Sequence, residues 1–218
     1  ADGIILLGYG DYLQHRPRLE QLVERGTHFI CWGNPKAAEF GAVVGSDNEQ
    51  GGFDGTQHLI EAGRRRIAFV GTASDAYPEF LDRHSGYCRA HAEAGLAADP
   101  KLMVAAGPSE EEGRTAAAEL VRKGAEFDAI FATSDLAAIG AMHALQEMGR
   151  DVPRDVSVVG FDDLAAAGYA RPPLTTVAQD AKAAGAALVE ALIDLIDGNE
   201  VRNRLLPVSL KVRGSSLP

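Results

Sequence analysis

Short apolar runs alternate along this chain with longer amphipathic stretches, and most of those stretches are closed by a glycine. That rhythm constrains the fold more than any other feature. Ile4–Leu7, His28–Trp32, Ala42–Val44, Arg66–Val70, Leu102–Ala105, Ala129–Ala132 and Val156–Phe161 read as strands. A continuous run such as Ile4-Ile5-Leu6-Leu7 is expected of a strand buried on both faces. Helical patterns fall between them, at about Pro17–Arg25, from the capping residues Ser46-Asp47-Asn48 to Gly63, and at about Glu79–Ala94. Others cover Glu110–Lys123, the stretch from Ser134 to Gly149, and Ala181–Ile196. Gly26, Gly63, Gly95, Gly124, Gly149 and Gly198 stand where helix ends need a left-handed residue. The tail, Leu205–Val212, reads as a last strand.

Alternation of this kind implies an α/β fold built on doubly wound parallel sheets. Two features divide it into two lobes. Pro172-Pro173 interrupts the rhythm and leads into Leu174-Thr175-Thr176-Val177, which reads as an extended crossing segment, and a weaker break lies at Gly71–Pro78. The expected first lobe comprises residues 1–66 and 177–203, and the second residues 67–176 and 204–218.

Composition removes several function classes. The 218 residues carry a net charge of -10, against non-specific nucleic-acid binding, which needs clustered Lys and Arg. Arg64-Arg65-Arg66 is the nearest such cluster and reads as a solvated edge. Cys31 and Cys88 show no metal or disulfide spacing, as expected of a reducing, cytoplasmic compartment. No apolar run reaches the ~18 residues of a membrane span.

Enzymatic motifs are sparse. No G-x-S-x-G, H-E-x-x-H or C-x-x-C occurs, and the six histidines lack metal spacing. Gly8-Tyr9-Gly10 follows the first strand but lacks the third glycine of a dinucleotide loop. Asp162-Asp163 reads as a carboxylate pair of a cleft enzyme, as a turn cap or as a ligand contact.

A binding site accounts for more residues. Ser134 and Asp162 lie at the carboxyl ends of two different strands, and Arg83 begins the helix after a third. Ligands bind at those ends in open α/β sheets. A guanidinium, a hydroxyl and a carboxylate together suit a polyol or another small polar molecule. Trp32, at a strand end, either stacks on a ligand or belongs to the core. Tyr77 and Glu79, in the loop before Arg83, and Gln179, past the crossing segment, are rim candidates. Ser134 is also a natural helix cap.

The chain as a whole resembles the ligand-binding domain of the lactose/galactose-repressor (LacI/GalR) family of bacterial transcription regulators. The matching words are Asp2-Gly3-Ile4-Ile5-Leu6, Ser46-Asp47-Asn48 with Gly51-Gly52, and Arg65-Arg66-Ile67-Ala68-Phe69-Val70-Gly71. They continue with Arg83 before Gly86-Tyr87, Ser134-Asp135-Leu136-Ala137-Ala138-Ile139-Gly140-Ala141, Val152 to Asp163, Leu174 to Val177, and Leu205-Leu206-Pro207-Val208.

The resemblance implies a periplasmic-binding-protein-like pair of lobes joined by crossover strands, with an effector held between them and no cofactor or metal. It places the effector arginine on Arg83 and the aspartate on Asp162, with a frequent glutamine on Gln179. Ser134 replaces the family's usual asparagine. Asn34 replaces an arginine and is retained as a ligand candidate. The stacking aromatic of the second lobe falls on Pro108, so that platform is absent or supplied elsewhere, with Trp32 the candidate. It also implies a homodimer, and operator DNA bound only through a helix-turn-helix domain preceding this chain. The family's initial strand–helix units are not matched, so the first lobe reads as incomplete and Ile4–Leu7 as an edge that invites pairing. The alternative reading is a periplasmic sugar-binding protein of a transport system.

Overall fold

The structure, a computed structural model, describes residues 2–8, 12–37 and 40–217. In chain order its elements are β1 (Ile4–Leu7), α1 (Tyr12–Glu24), β2 (Phe29–Trp32), β3 (Ala42–Ser46), α2 (Asn48–Glu61), β4 (Ile67–Val70) and α3 (Pro78–Glu93). They continue with β5 (Met103–Val104), α4 (Glu110–Arg122), β6 (Ala129–Ala132), α5 (Asp135–Glu147), β7 (Ser157–Asp162) and α6 (Ala165–Tyr169). The last are β8 (Thr175–Gln179), α7 (Ala181–Ile196), β9 (Arg204–Leu206) and β10 (Val208–Lys211). Tyr9 and Gly10, part of the glycine loop considered above, lie outside the described residues.

The fold is α/β, with parallel sheets, in two compact units. Unit 1 comprises Ala1–Asp47, Ser74–Glu79 and Asp180–Pro207, and unit 2 comprises Asn48–Ala73, Phe80–Gln179 and Val208–Pro218. The sequence reading puts residues 48–66 and 177–179 with the first lobe and residues 74–79 and 204–207 with the second; the structure groups all four the other way. Glycine explains the placement of α2. A Cβ on Gly51 would come within 2.6 Å of the Phe161 ring, and one on Gly55 within 2.7 Å of Phe131. A Cβ on Gly52 would lie 2.1 Å from the Arg83 carbonyl oxygen. This glycine face lets α2 press against β7, β6 and α3, and so joins it to the second sheet.

Among the described residues the sheet of unit 2 runs β10-β8-β7-β6-β4-β5, parallel except for β10 on β8. Its central strands are buried on both faces, as continuous apolar runs require. Phe69, Phe131, Val159 and Phe161 pack with Leu59 of α2 and Tyr87 of α3. Val70, Ile130, Ala132 and Val158 pack with Leu120 of α4 and Met142 and Leu145 of α5. Arg64 turns back onto this unit, donating to Ser157 Oγ at 3.0 Å and the Pro153 carbonyl at 2.6 Å. It is a structural clamp rather than part of a solvated edge.

The sheet of unit 1 runs β1-β2-β3-β9, all parallel. Ile30, Ala42 and Val44 pack on Ala187 and Leu188 of α7. β1 is an edge strand and only half-buried, with Leu7 70% exposed, so the expected two-sided burial holds for the central strands and not for this one. The expected single last strand is two, β9 on β3 and β10 on β8. Pro207, which has no N–H to give a ladder, separates them. α1 begins before Pro17, which lies inside the helix rather than at its start. No helix among the described residues is long and apolar enough to cross a membrane.

Candidate functional site

Unit 2 carries a polar cluster at the carboxyl ends of its strands. Asp162 ends β7 and pairs across the ladder with Ala178, so the next residue of β8, Gln179, stands beside it. Gln179 Nε2 donates to Asp162 Oδ1 at 2.6 Å. Arg83 NH1 approaches the same oxygen at 3.6 Å. Arg83 is 2% exposed and held on several sides. Its Nε donates to Asn48 Oδ1 at 2.8 Å, and its NH1 donates to the Thr133 carbonyl. Its guanidinium lies 3.7 Å from the centroid of the Phe161 ring and 5.2 Å from that of Phe80. A buried guanidinium stacked on aromatic rings and hydrogen-bonded to a carbonyl is a fixed donor array.

The charge balance follows from this packing. Burial pushes the Asp162 carboxyl up; the Arg83 cation and the Gln179 hydrogen bond oppose it. Among the described residues Asp162 Oδ2 accepts no hydrogen bond, so the clamp on Oδ1 leaves one acceptor oxygen in a fixed orientation. The backbone there is strained, with φ of 115° at Asp162 and 56° at Asp163, values that side chains other than glycine rarely adopt.

Asp163 turns to a different partner, Arg213 NH2 at 2.5 Å. The two adjacent carboxylates are therefore committed to separate cations. Ser134 is 2% exposed and caps α5, its Oγ accepting from the Ala137 amide at 3.2 Å. Its neighbour Thr133 holds a buried hydroxyl with no hydrogen-bond partner among the described residues. Pro108 is exposed in the loop before Ser109, the cap of α4.

The other candidates lie in unit 1. Trp32 ends β2 and packs, half-buried, against that unit's core. Asn34 accepts from the Lys36 amide at 2.9 Å and donates to the Pro78 carbonyl at 3.2 Å. It therefore opens a 3-10 turn over Pro35–Ala37 and ties it to the segment holding Tyr77 and Glu79. Glu79, in the first turn of α3, sets its carboxylate over Gly33, where a Cβ would meet Oε1 at 3.3 Å. Tyr77 closes a turn with its amide on the Ser74 carbonyl at 2.9 Å.

The structure thus joins Arg83, Asp162 and Gln179 in one contact network, with Ser134 beside it, and gathers Trp32, Asn34, Tyr77 and Glu79 in unit 1. Sequence reasoning missed Asn48, Thr133 and Phe161, which hold Arg83. Asn48 reads as a helix cap, and a backbone carbonyl leaves no trace in sequence. It also missed Asp135, whose carboxylate accepts from the Leu164 amide and the Thr176 hydroxyl in the turn after Asp162. Its only signal was its place beside the Ser134 cap. No group of three or more metal-ligating side chains occurs among the described residues.

The chain is similar to several known proteins. The profile of the periplasmic binding protein-like domain family matches residues 56–216. The chain is 36% identical over 221 residues to the HTH-type transcriptional regulator CelR of Thermobifida fusca, covering 99% of this chain and 63% of CelR. It superimposes on the transcriptional regulator CelR–cellobiose complex with a TM-score of 0.90 at 34% identity, covering 99% of this chain and 66% of that one. For a regulatory protein of the LacI family from Chloroflexus aggregans the TM-score is 0.87 at 30% identity, with 99% and 77% covered. For a LacI family transcriptional regulator from Enterococcus faecium with bound ribose it is 0.88 at 27%, with 100% and 80% covered.

Proposed function

The chain belongs to the LacI family of transcription regulators, and from that premise we propose that it is the effector-sensing and dimerisation portion of such a regulator. The observation that carries the reading is the Asp162 carboxylate held by Gln179 and Arg83 at the carboxyl end of β7, with one oxygen left to accept. A carboxylate already matched by a buried cation needs no further cation. It suits a neutral molecule that brings hydroxyl groups, and Arg83 offers donors to the same molecule. The effector class is therefore a sugar or related polyol, as in the relatives solved with cellobiose and with ribose. Ser134 and Gln179 would complete the contacts from unit 2; Trp32, Asn34, Tyr77 and Glu79 are separate ligand-contact candidates carried by unit 1.

The remaining roles belong to the same proposal. The chain spans 63% of the length of CelR, and operator DNA would be read by a helix-turn-helix domain outside it. The regulator would act in the cytoplasm as a homodimer, without catalysis or a cofactor. Leu164 and Tyr169 in unit 2, and Val189 and Ile193 on α7, supply exposed apolar surface for self-association. A sugar would shift the regulator between states by binding one more tightly than the other.

A thermal-shift screen against sugars and polyols tests the reading. At about 100-fold excess over Kd, binding adds roughly 2.7 kcal/mol of stability. A sugar that raises Tm in the wild type and fails to do so in Asp162→Asn supports the assignment. Equal shifts in both proteins refute the site.

A further inference from the structure

We propose that Asp135 is the positioning residue of this site, fixing the turn that aims the Asp162 carboxylate, and that ligand binding is proton-linked through it. The inference rests on the sugar-sensing reading above and adds its regulation.

Asp135 opens α5 and is 0% exposed. Its carboxylate reaches under the strained turn and holds it at two points. Oδ2 accepts from the Leu164 amide at 2.7 Å. Oδ1 accepts from Thr176 Oγ1 at 2.5 Å, and that hydroxyl in turn accepts from the Asp163 amide at 3.3 Å. Both residues that follow Asp162 are therefore tied, directly or through one hydroxyl, to a single carboxylate. Gly160 makes the room: a Cβ there would lie 2.5 Å from Asp135 Oδ1. The positive φ values at Asp162 and Asp163 need such over-determination to persist.

The carboxylate also sits where its charge is poised. Burial, with Asp162 and Asp163 as like-charged neighbours, pushes Asp135 up to about 7, against the opposing hydrogen bonds from Thr176 and Leu164. The nearby cations are committed elsewhere, Arg83 to Asp162 and Arg213 to Asp163. Ionised Asp135 accepts both hydrogen bonds. Protonated Asp135 has one oxygen that must donate, so one tie to the turn weakens and Asp162 loses its aim. Ligand affinity is then expected to fall as pH drops through neutrality, on the order of 5-fold or more between pH 8.5 and 5.5, the size of ordinary site–site coupling.

The test follows the wild-type protein by NMR. The carboxyl carbon of Asp135 and the amides of Asp163 and Leu164 are titrated together, and calorimetry measures cellobiose binding across the same pH range in wild type and in Asp135→Asn. A shared midpoint for the three groups, weaker cellobiose binding on the acid side and a flat profile in Asp135→Asn support the proposal. Amides that ignore the carboxyl, or a folded Asp135→Asn that keeps the wild-type profile, overturn it. If Asp135→Asn does not fold, the wild-type titrations decide, because saturation with cellobiose must lower the Asp135 midpoint. Absence of cellobiose binding at every pH counts against the sugar reading. The amide titration alone then decides for or against Asp135.

Discussion

Asp162 and Arg83 are neither a plain ion pair nor a pair of free ligand hooks. Their charges are 3.6 Å apart, but each is also bound to other groups, and Arg83 is stacked on Phe161. Removing one partner of a buried pair costs about 3–5 kcal/mol, because the other charge is stranded. Arg83→Ala is therefore expected to lower stability by that order in chemical denaturation, which makes it a poor probe of ligand binding. Asp162→Asn keeps the shape and one acceptor oxygen but turns the other into a donor and removes the charge that balances Arg83, so its stability is read in the same denaturation series. Its expected effect is a loss of about 1.5–3 kcal/mol of ligand binding, the worth of one charged hydrogen bond, read by calorimetry.

Asp135 makes a separate prediction at this scale. Its pKa is raised in the folded state to about 7, from an ordinary value near 3.9 in the unfolded chain. Between those values the folded state binds more protons than the unfolded one. Stability contributed by this group is full at the acid end, falls as pH rises through the window and is flat above about 7. Melting curves of wild type minus Asp135→Asn, taken from pH 4.5 to 8, should show that falling slope. A difference that rises with pH would contradict it.

The helix ends were the most legible elements. Gly26, Gly63, Gly95, Gly124, Gly149 and Gly198, expected to close helices, all have positive φ. A helix that must stop needs a residue free to turn left-handed, and glycine advertises that locally. The allegiance of α2 was not legible, because it depends on what meets the glycine face. A Cβ on Gly86 would lie 2.0 Å from the Glu49 carbonyl, so α2 and α3 approach backbone to backbone. Gly86→Ala is expected to cost 3 kcal/mol or more, about the upper end of overpacking effects. Gly185, inside α7, has nothing within 4 Å of a Cβ among the described residues, so Gly185→Ala is expected to stabilise by about 0.5–1 kcal/mol. Urea denaturation of the two variants reads both signs. The site shows the same division. Asp162 was readable as a candidate from its place at a strand end and Gln179 from its place past the crossing segment, whereas Arg83, expected in the first turn of its helix, stands in the second turn of α3. Thr133, which binds Arg83 through its backbone, and Asp135, which acts through the Leu164 amide, were not.

For the whole molecule, charge and site chemistry agree. With a net charge of -10, this chain is expected to leave duplex DNA unretarded in a mobility-shift assay at physiological salt. The relatives solved with cellobiose and with ribose hold small uncharged ligands, the class proposed for this chain. A crystal structure of the chain with the best sugar from the thermal screen would test the central claim most directly. The account predicts a sugar hydroxyl donating to Asp162 at a hydrogen-bond distance of about 2.7 Å, with Gln179 still on Oδ1 and an Arg83 nitrogen within about 3.2 Å of the sugar. A sugar bound elsewhere, with the Asp162 acceptor still unused, would contradict it.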